Sequence, residues 1–340
     1  MKKVVGFGEL MVRLAPSGHL KFVQAVSFDV NYTGSEANVC VSLSNFGIPT
    51  SYVTKLPKND IADCAVKKLH QFGVETSNIV WGGDRMGVYY LERGASQRPS
   101  KVVYDRKYSA FSQASPNDFD WDKIFDGAWW FHFTGLNPAL GGNMVEISLE
   151  ACKAAKKAGL TISCDLNYRR NLWSPEAARK IMPDLVRYCD LLIGNEEDVD
   201  LTMGMKAGST DVTGGKLDYD GYTQLAEKIF KEYGIPAIAF TLRTSHSASD
   251  NGWSAMLYTG GKVFFPKEYA IHMVDRVGGG DSFAAGLIYA MSGNYDPQEA
   301  IEFATAASCL KQTMEMDFNL ASVEDVCRLV DGDSSGRVQR

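Results

Sequence analysis

The sequence predicts an α/β protein: a mainly parallel sheet covered by helices, with a small β-sheet set beside it. Three observations carry this. The stretches "SLSNFGIPTSYV", "KKLHQFGVETSNIV", "ACKAAKKAGLTISCDL" and "KIFKEYGIPAIAF" each run from a helical pattern through one glycine into an apolar segment. Five short apolar runs, 4–8, 129–135, 161–166, 190–195 and 237–242, read as the strands of that sheet. Two further regions, about 11–33 and 86–110, are rich in aromatic and β-branched residues and have no covering helix of their own.

Each element has a local reason. Gly47, Gly73, Gly159 and Gly234 fit the left-handed position that ends a helix, and Ile48, Val74, Leu160 and Ile235 begin the extended segments that follow. Ala37, Cys40, Val41 and Ser44 recur at helical spacing, a small-residue face suited to close packing. Repeated helix–strand units require a sheet with helices against it. Residues 19–33 read as extended, and 86–108 as two strands around a polar loop; together they predict a small sheet able to act as a lid. Residues 203–216 read as a Gly/Thr-rich surface loop, and 331–340 as a mobile tail after a domain spanning 1–330.

Composition narrows the function. The chain has 340 residues, 45% apolar and 22% charged, so a large core can form. Its net charge is −6, with no extended basic patch, which argues against nucleic acid as the main partner. The seven cysteines are scattered and form no C-x-x-C pair, pointing to a reducing compartment and no zinc site. Glu9 and Arg13 interrupt the first apolar run, and no run is long enough to span a membrane. A cytoplasmic enzyme is expected.

Chemistry concentrates in "VDRVGGGDSFAAGLIYAM", residues 274–291. Gly278, Gly279 and Gly280 run into Asp281, which opens an apolar helix. Glycines let backbone N–H groups approach a ligand, and a helix start adds its positive dipole end. Together they suit a phosphate, and a carboxylate beside a bound anion suits a base. The bland alternative is a tight turn with an Asp cap. The G-x-G at 6–8 lacks the third glycine of a dinucleotide fingerprint and reads better as tight packing after the first strand. His132, between Phe131 and Phe133, reads as a core histidine.

"DRVGGGDSFAAGL" resembles the C-terminal signature of the ribokinase-like, or PfkB-type, sugar kinases, and "YTGSEANVCVSLSNFG" (32–47) their N-terminal one. The two lie about 240 residues apart in the right order, and the resemblance covers the chain to about 330. It implies a ribokinase-like three-layer fold and transfer of the γ-phosphoryl of ATP to a sugar hydroxyl. By the same resemblance Asp281 takes the proton from that hydroxyl, and the backbone N–H groups of Gly278, Gly279 and Gly280 form an anion hole. Gly34 and Asn38, from the N-terminal signature, would bind sugar. Arg276 stands where the family usually has Thr, and Gly279 where it has Ala. "NEED" (195–198) is similar to the family's Mg²⁺- and phosphate-organising N-x-x-E, giving Asn195 to the nucleotide side and Asp198 to the metal; a helix cap is the alternative for Asn195. Thr241, two residues before an Arg243 that replaces a more typical Gly, and Asn319, in a segment similar to G-D-F-N, are nucleotide-side candidates.

Three segments favour a sugar acid as substrate. "CDLNYRRNLW" puts Asp165, Asn167 and Arg169 at alternate positions after a strand, "VYDRKYSA" does the same for Tyr104 and Arg106, and "GVYYLERG" offers Tyr90 as a candidate on the facing strand. Two arginines suit a carboxylate, which a guanidinium grips bidentately. Pairing of each arginine with a nearby acid is the alternative. These segments are most similar to the 2-keto-3-deoxygluconate kinases, which implies sugar contacts from Gly34, Tyr90, Tyr104, Arg106 and Arg169, with 2-keto-3-deoxy-6-phosphogluconate as product. The rivals are a kinase for a neutral ketose such as fructose and a non-catalytic sugar-binding protein. Lid-to-lid homodimers occur in the family, so a homodimer through the lid sheet is expected, with no nucleic acid or membrane partner.

Overall fold

The computed structural model describes residues 2–206, 218–293 and 295–333. Most of the 203–216 loop and residues 334–340 of the tail therefore lie outside the described residues. Among the described residues the main sheet has nine strands. Eight run in the order Lys262–Phe264, Asp250–Thr259, Ala237–Ser245, Leu191–Gly194, Thr161–Asp165, Ala128–Thr134, Lys3–Phe7 and Thr50–Val53, and Tyr269–His272 also pairs with Asp250–Thr259. From Ala237–Ser245 to Thr50–Val53 every pairing is parallel. The five expected strands all lie in this sheet.

The core has two layers because alternate residues of each strand face opposite ways. Phe131, Phe133, Ile162, Leu192 and Phe240 pack on one face with the helices Met144–Lys157, Pro175–Val186 and Tyr219–Tyr233. Val4, Trp130, Leu191 and Ala239 pack on the other with Gly279–Ser292 and Pro297–Gln312. The result is a ribokinase-like sandwich of helices, sheet and helices. The four helix-ending glycines all have positive φ, from 73° to 83°. His132 is buried; its Nδ1 lies 2.8 Å from Ser163 Oγ, and burial pushes its pKa down to about 3.

A separate four-stranded sheet has the order Asp29–Thr33, Met11–Ala15, Gly87–Glu92, Lys101–Asp105. Its register sorts its residues into rows. Asn31, Arg13, Tyr89 and Tyr104 form one row, and Val30, Leu14, Tyr90 and Val103 the next, on the opposite face. The extended reading of 19–33 is corrected in part: Phe22–Gln24 is a 3₁₀ turn, and only Asp29–Thr33 is strand. The β-rich sequence of that stretch has no partner strand or buried face, and Val23 and Val26 are almost fully exposed. The segment 241–253 contains the turn of an antiparallel hairpin.

The G-x-G at 6–8 serves packing. A Cβ on Gly6 would stand 2.6 Å from Cys40 Sγ, and one on Gly8 would overlap the Glu36 carboxylate. Among the described residues no helix is long and apolar enough to cross a membrane.

Candidate active site

Open parallel sheets bind ligands beyond the carboxyl ends of their strands. Here a cleft of about 950 Å³ lies along those ends, and Tyr89 and Tyr104 line it from the smaller sheet. Of the sixteen residues that the sequence singled out, fourteen line this cleft; Tyr90 and Asn319 do not.

Gly278 caps the helix Gly279–Ser292 with φ 83°, and a Cβ there would overlap the Asp317 carbonyl oxygen. The first of the three glycines is therefore a turn the fold requires. A Cβ on Gly279 would press on Gln312 at 3.2 Å, whereas one on Gly280 would meet no protein atom within 4 Å. The N–H groups of Gly280 and Asp281 find no acceptor among the described residues, as the first turn of a helix dictates. Gly280 thus keeps space open above free donors. Gly280→Val should leave thermal stability within a degree or two while turnover falls at least tenfold. Gly278→Ala should lower the melting temperature, because positive φ and overlap both oppose it. Normal turnover in Gly280→Val would reduce the run to a structural turn.

Asp281 is buried, and Asn38 Nδ2 donates to its Oδ2 at 2.7 Å. Asn38 Oδ1 in turn accepts from Thr33 Oγ1 at 2.8 Å, so both ends of the amide are occupied. Asn38, which lines the cleft as expected, also orients the Asp281 carboxylate. Burial pushes the Asp281 pKa up to about 6, against the opposing effect of the Asn38 hydrogen bond. Three more carboxyls crowd this floor. Asp165 is raised well above the usual carboxylate range by burial, then by Asp198 and Asp281. Burial raises Asp198 to about 6 and Glu36 to about 7. Clusters of perturbed carboxyls mark sites built for chemistry rather than stability.

The segment 165–169 reaches the cleft by a different path from the regular alternation expected. Asp165 ends its strand, and Asn167 takes a left-handed φ of 41°, held by its Nδ2 donating to Ser35 Oγ at 3.2 Å. Arg169 emerges solvent-exposed; its one side-chain hydrogen bond among the described residues runs to its neighbour's carbonyl, Tyr168 O, at 3.0 Å. Arg106 differs. It is buried and donates to Glu9 through Nε at 2.9 Å and through Nη2. The acid-pairing alternative is realised for Arg106 but not for Arg169.

Tyr90 is corrected to Tyr89. Residues in register across a sheet share a face, and Tyr89, not Tyr90, pairs with Tyr104. Asn319 is also corrected: it is buried, its Nδ2 donates to Ser282 Oγ at 2.6 Å, and its Oδ1 accepts from Ala321 N at 2.9 Å, all away from the cleft. Asn195 caps the helix Glu196–Met203, accepting from Asp198 N at 2.8 Å, and still lines the cleft. Asp198 Oδ1 accepts from Tyr168 N at 3.1 Å, and Thr241 lines the wall beyond.

Sequence reasoning missed a buried charged node between the two sheets. Asp317 accepts from Arg13 Nη1 at 2.8 Å, Asn31 Nδ2 at 2.9 Å and Tyr89 Oη at 2.7 Å, one donor from each of three strands of the smaller sheet. Arg13 also pairs with Asp275, whose carbonyl accepts from the fully buried Lys311 at 2.9 Å. Burial would lower the Arg13 pKa, but Asp317 and Asp275 raise it overall. The smaller sheet is thereby tied to the chain just before Gly278. The alternation of Arg13 within "MVRLA" was the available signal; its partners lie 262 and 304 residues away.

A helix N-terminus with free N–H groups, a buried carboxylate beside it and a cationic rim define a phosphoryl-transfer class of site. Residues 1–315 match the model of the pfkB family of carbohydrate kinases, and the chain belongs to that family. It is 30% identical to the 2-dehydro-3-deoxygalactonokinase of Haloferax volcanii over 98% of both chains. It is 25% identical to the 2-dehydro-3-deoxygluconokinase of Thermoproteus tenax, over 91% of this chain and 88% of that one. The crystal structure of 2-dehydro-3-deoxygluconokinase from Thermotoga maritima superposes with a TM-score of 0.94 at 48% identity, covering 98% of this chain and 100% of that one.

Proposed function

We propose that this carbohydrate kinase phosphorylates a 2-keto-3-deoxy sugar acid, with 2-keto-3-deoxygluconate as substrate and ATP as donor. Asp281 takes the proton from the terminal C6 hydroxyl. The freed oxygen attacks the γ-phosphorus, the bond to the β-phosphate oxygen breaks, and ADP leaves with 2-keto-3-deoxy-6-phosphogluconate as the other product. The observation that carries this reading is the Asp281 carboxylate, fixed by Asn38 at the mouth of a helix whose first N–H groups are free. Those N–H groups, with Gly280 leaving room above them, stabilise charge on the transferring phosphoryl.

Arg169 pairs with the substrate carboxylate. Gly34, Tyr89, Tyr104, Asp165 and Asn167 shape the sugar end, and the cleft-facing side of Arg106 joins them. Gly34 admits no side chain, because a Cβ would overlap Glu9 O. Asn195 and Thr241 face the nucleotide. Among the described residues no group of three or more acidic, His or Cys side chains forms a metal cage. Asp198 offers a hard oxygen at the cleft floor, which fits a Mg²⁺ that takes most of its ligands from phosphates and water. That ion, when bound, supplies charge neutralisation on the phosphates.

The second row of the smaller sheet supports a homodimer. Val30, Leu14, Tyr90 and Val103 form an apolar stripe on its outer face; Val30 and Val103 are about half exposed, and Phe28 packs against Tyr90 at 5.9 Å. Tyr90, moved off the cleft, belongs to this surface.

The activity is tested by assaying ADP release with 2-keto-3-deoxygluconate, its galactonate epimer, fructose and ribose. The sugar acids should exceed the neutral sugars in kcat/KM by at least a hundredfold. A preference for fructose would replace this reading with the neutral-ketose kinase, and no turnover on any sugar with a catalytically non-competent fold would leave the binding protein.

A further inference from the structure

Besides Arg169, two arginines in the cleft lack the carboxylate partner that most other arginines have among the described residues. Arg13, Arg85, Arg93, Arg98, Arg106 and Arg179 each pair with a carboxylate. Arg243 and Arg276 make no ion pair among the described residues, yet they lie close enough to repel each other. Arg276 keeps a solvent-facing side, but enclosure by the cleft and then the charge of Arg243 hold its pKa below the ordinary range. With the Asn251 amide oriented to donate to the carbonyls of Ser247 and Asp250, its oxygen accepts from Arg276 Nη2 at 3.3 Å. That bond positions Arg276 without neutralising it.

The backbone fixes where the two charges sit. Arg243 follows Thr241 by two residues on one strand, so both present the same face, and Arg243 pairs in register with Trp253, which also lines the cleft. The Trp253 indole N–H is buried and has no partner among the described residues. Arg276 precedes Gly278 by two residues, and its carbonyl accepts from Gly279 N at 3.3 Å. The guanidinium pair therefore flanks the glycine turn on the side of Thr241, whereas Arg169 flanks it on the side of Asp165. Like charges held together in a cleft are unfavourable unless an anion bridges them, and guanidinium groups grip phosphate through paired N–H donors.

We infer that Arg243 and Arg276 form a clamp for the polyphosphate chain of the phosphoryl donor, gripping the phosphates that stay with the leaving group while the helix start holds the one transferred. This rests on the kinase reading above and adds how the donor is recognised: through its phosphate chain at two guanidinium groups. The clamp binds a linear triphosphate with or without an attached nucleoside.

Inorganic tripolyphosphate is the probe. Its binding to the full chain is measured by titration calorimetry in the absence of sugar, for wild type, Arg243→Gln, Arg276→Gln and the double variant. Each single change should weaken binding roughly ten- to a hundredfold, as loss of a charge-assisted contact does. KM for ATP should rise in parallel, with KM for the sugar moving less than about twofold. Arg243→Lys should recover part of the loss, because it restores charge without the fork. Equal tripolyphosphate affinity in wild type and the double variant, or an unchanged KM for ATP, overturns the clamp. Because the titration needs no sugar, a clamp that persists in a protein preferring fructose separates failure of the sugar-acid reading from failure of this one.

Discussion

Asp281→Asn should lose about 10²–10⁴ in kcat while raising the melting temperature. The first effect follows from removing a positioned general base. The substitution keeps the shape and the oxygen that accepts from Asn38, so ATP and sugar binding should change little. The second follows from linkage. An unfolded Asp releases its proton near its ordinary value of 3.8, whereas Asp281 in the folded protein holds its proton to about pH 6. Between those values the folded state binds more protons than the unfolded state, so stability falls as pH rises through that window and remains lower above it. The neutral amide escapes this, and the variant should be more stable than wild type above pH 6 by about 1–3 kcal/mol, or a few degrees. The gain should vanish toward pH 4. Wild-type kcat/KM should fall as pH drops below about 6, as the base is protonated. Stopped assays and differential scanning calorimetry at pH 4.5, 6 and 8 measure all three. A variant retaining more than half of wild-type kcat, where chemistry limits the rate, removes Asp281 from the base role.

Arg169→Lys should collapse discrimination between the sugar acid and a neutral ketose. Arg169 is exposed in the cleft and makes no ion pair among the described residues, so its fork is available to a substrate carboxylate. A hydrogen bond to a charged group contributes about 1.5–3 kcal/mol. At about 1.4 kcal/mol per decade, kcat/KM for 2-keto-3-deoxygluconate should drop roughly ten- to a hundredfold. Fructose cannot form the ion pair and should lose far less. The ratio of the two substrates cancels general damage to the fold. Arg106→Gln is the contrast. Its guanidinium is engaged by buried Glu9, so its loss leaves a buried charge unpaired, and both substrates should fall together with thermal stability. Equal losses for both substrates in Arg169→Lys would show that Arg169 does not read the carboxylate.

Local rules carried much of this site. Glycines before an acid at a helix start need only the chain's own geometry to leave N–H groups, here those of Gly280 and Asp281, free beside a carboxylate. Helix-ending glycines follow from φ alone, and so they located the strands. What failed depended on pairing. Tyr89 and Tyr90 are equivalent in the sequence; only the register with Tyr104 decides which faces the cleft. Asn319 sits in a suggestive segment, but its side chain is used by Ser282 and Ala321.

The sequence by itself determined the alternating α/β architecture and the glycine–Asp281 helix start, because each rests on residues adjacent or at fixed helical spacing along the chain; phosphoryl transfer was implied by the resemblance of its two signatures to the sugar kinases. Only the tertiary structure decided that Glu9 engages Arg106, that Asn38 holds Asp281, that Asp317 gathers three strands of the smaller sheet, and that Arg243 stands beside Arg276. Those partners are separated by 33 to 304 residues, and charge pairing across such distances is set by where packed elements meet, which no local pattern encodes.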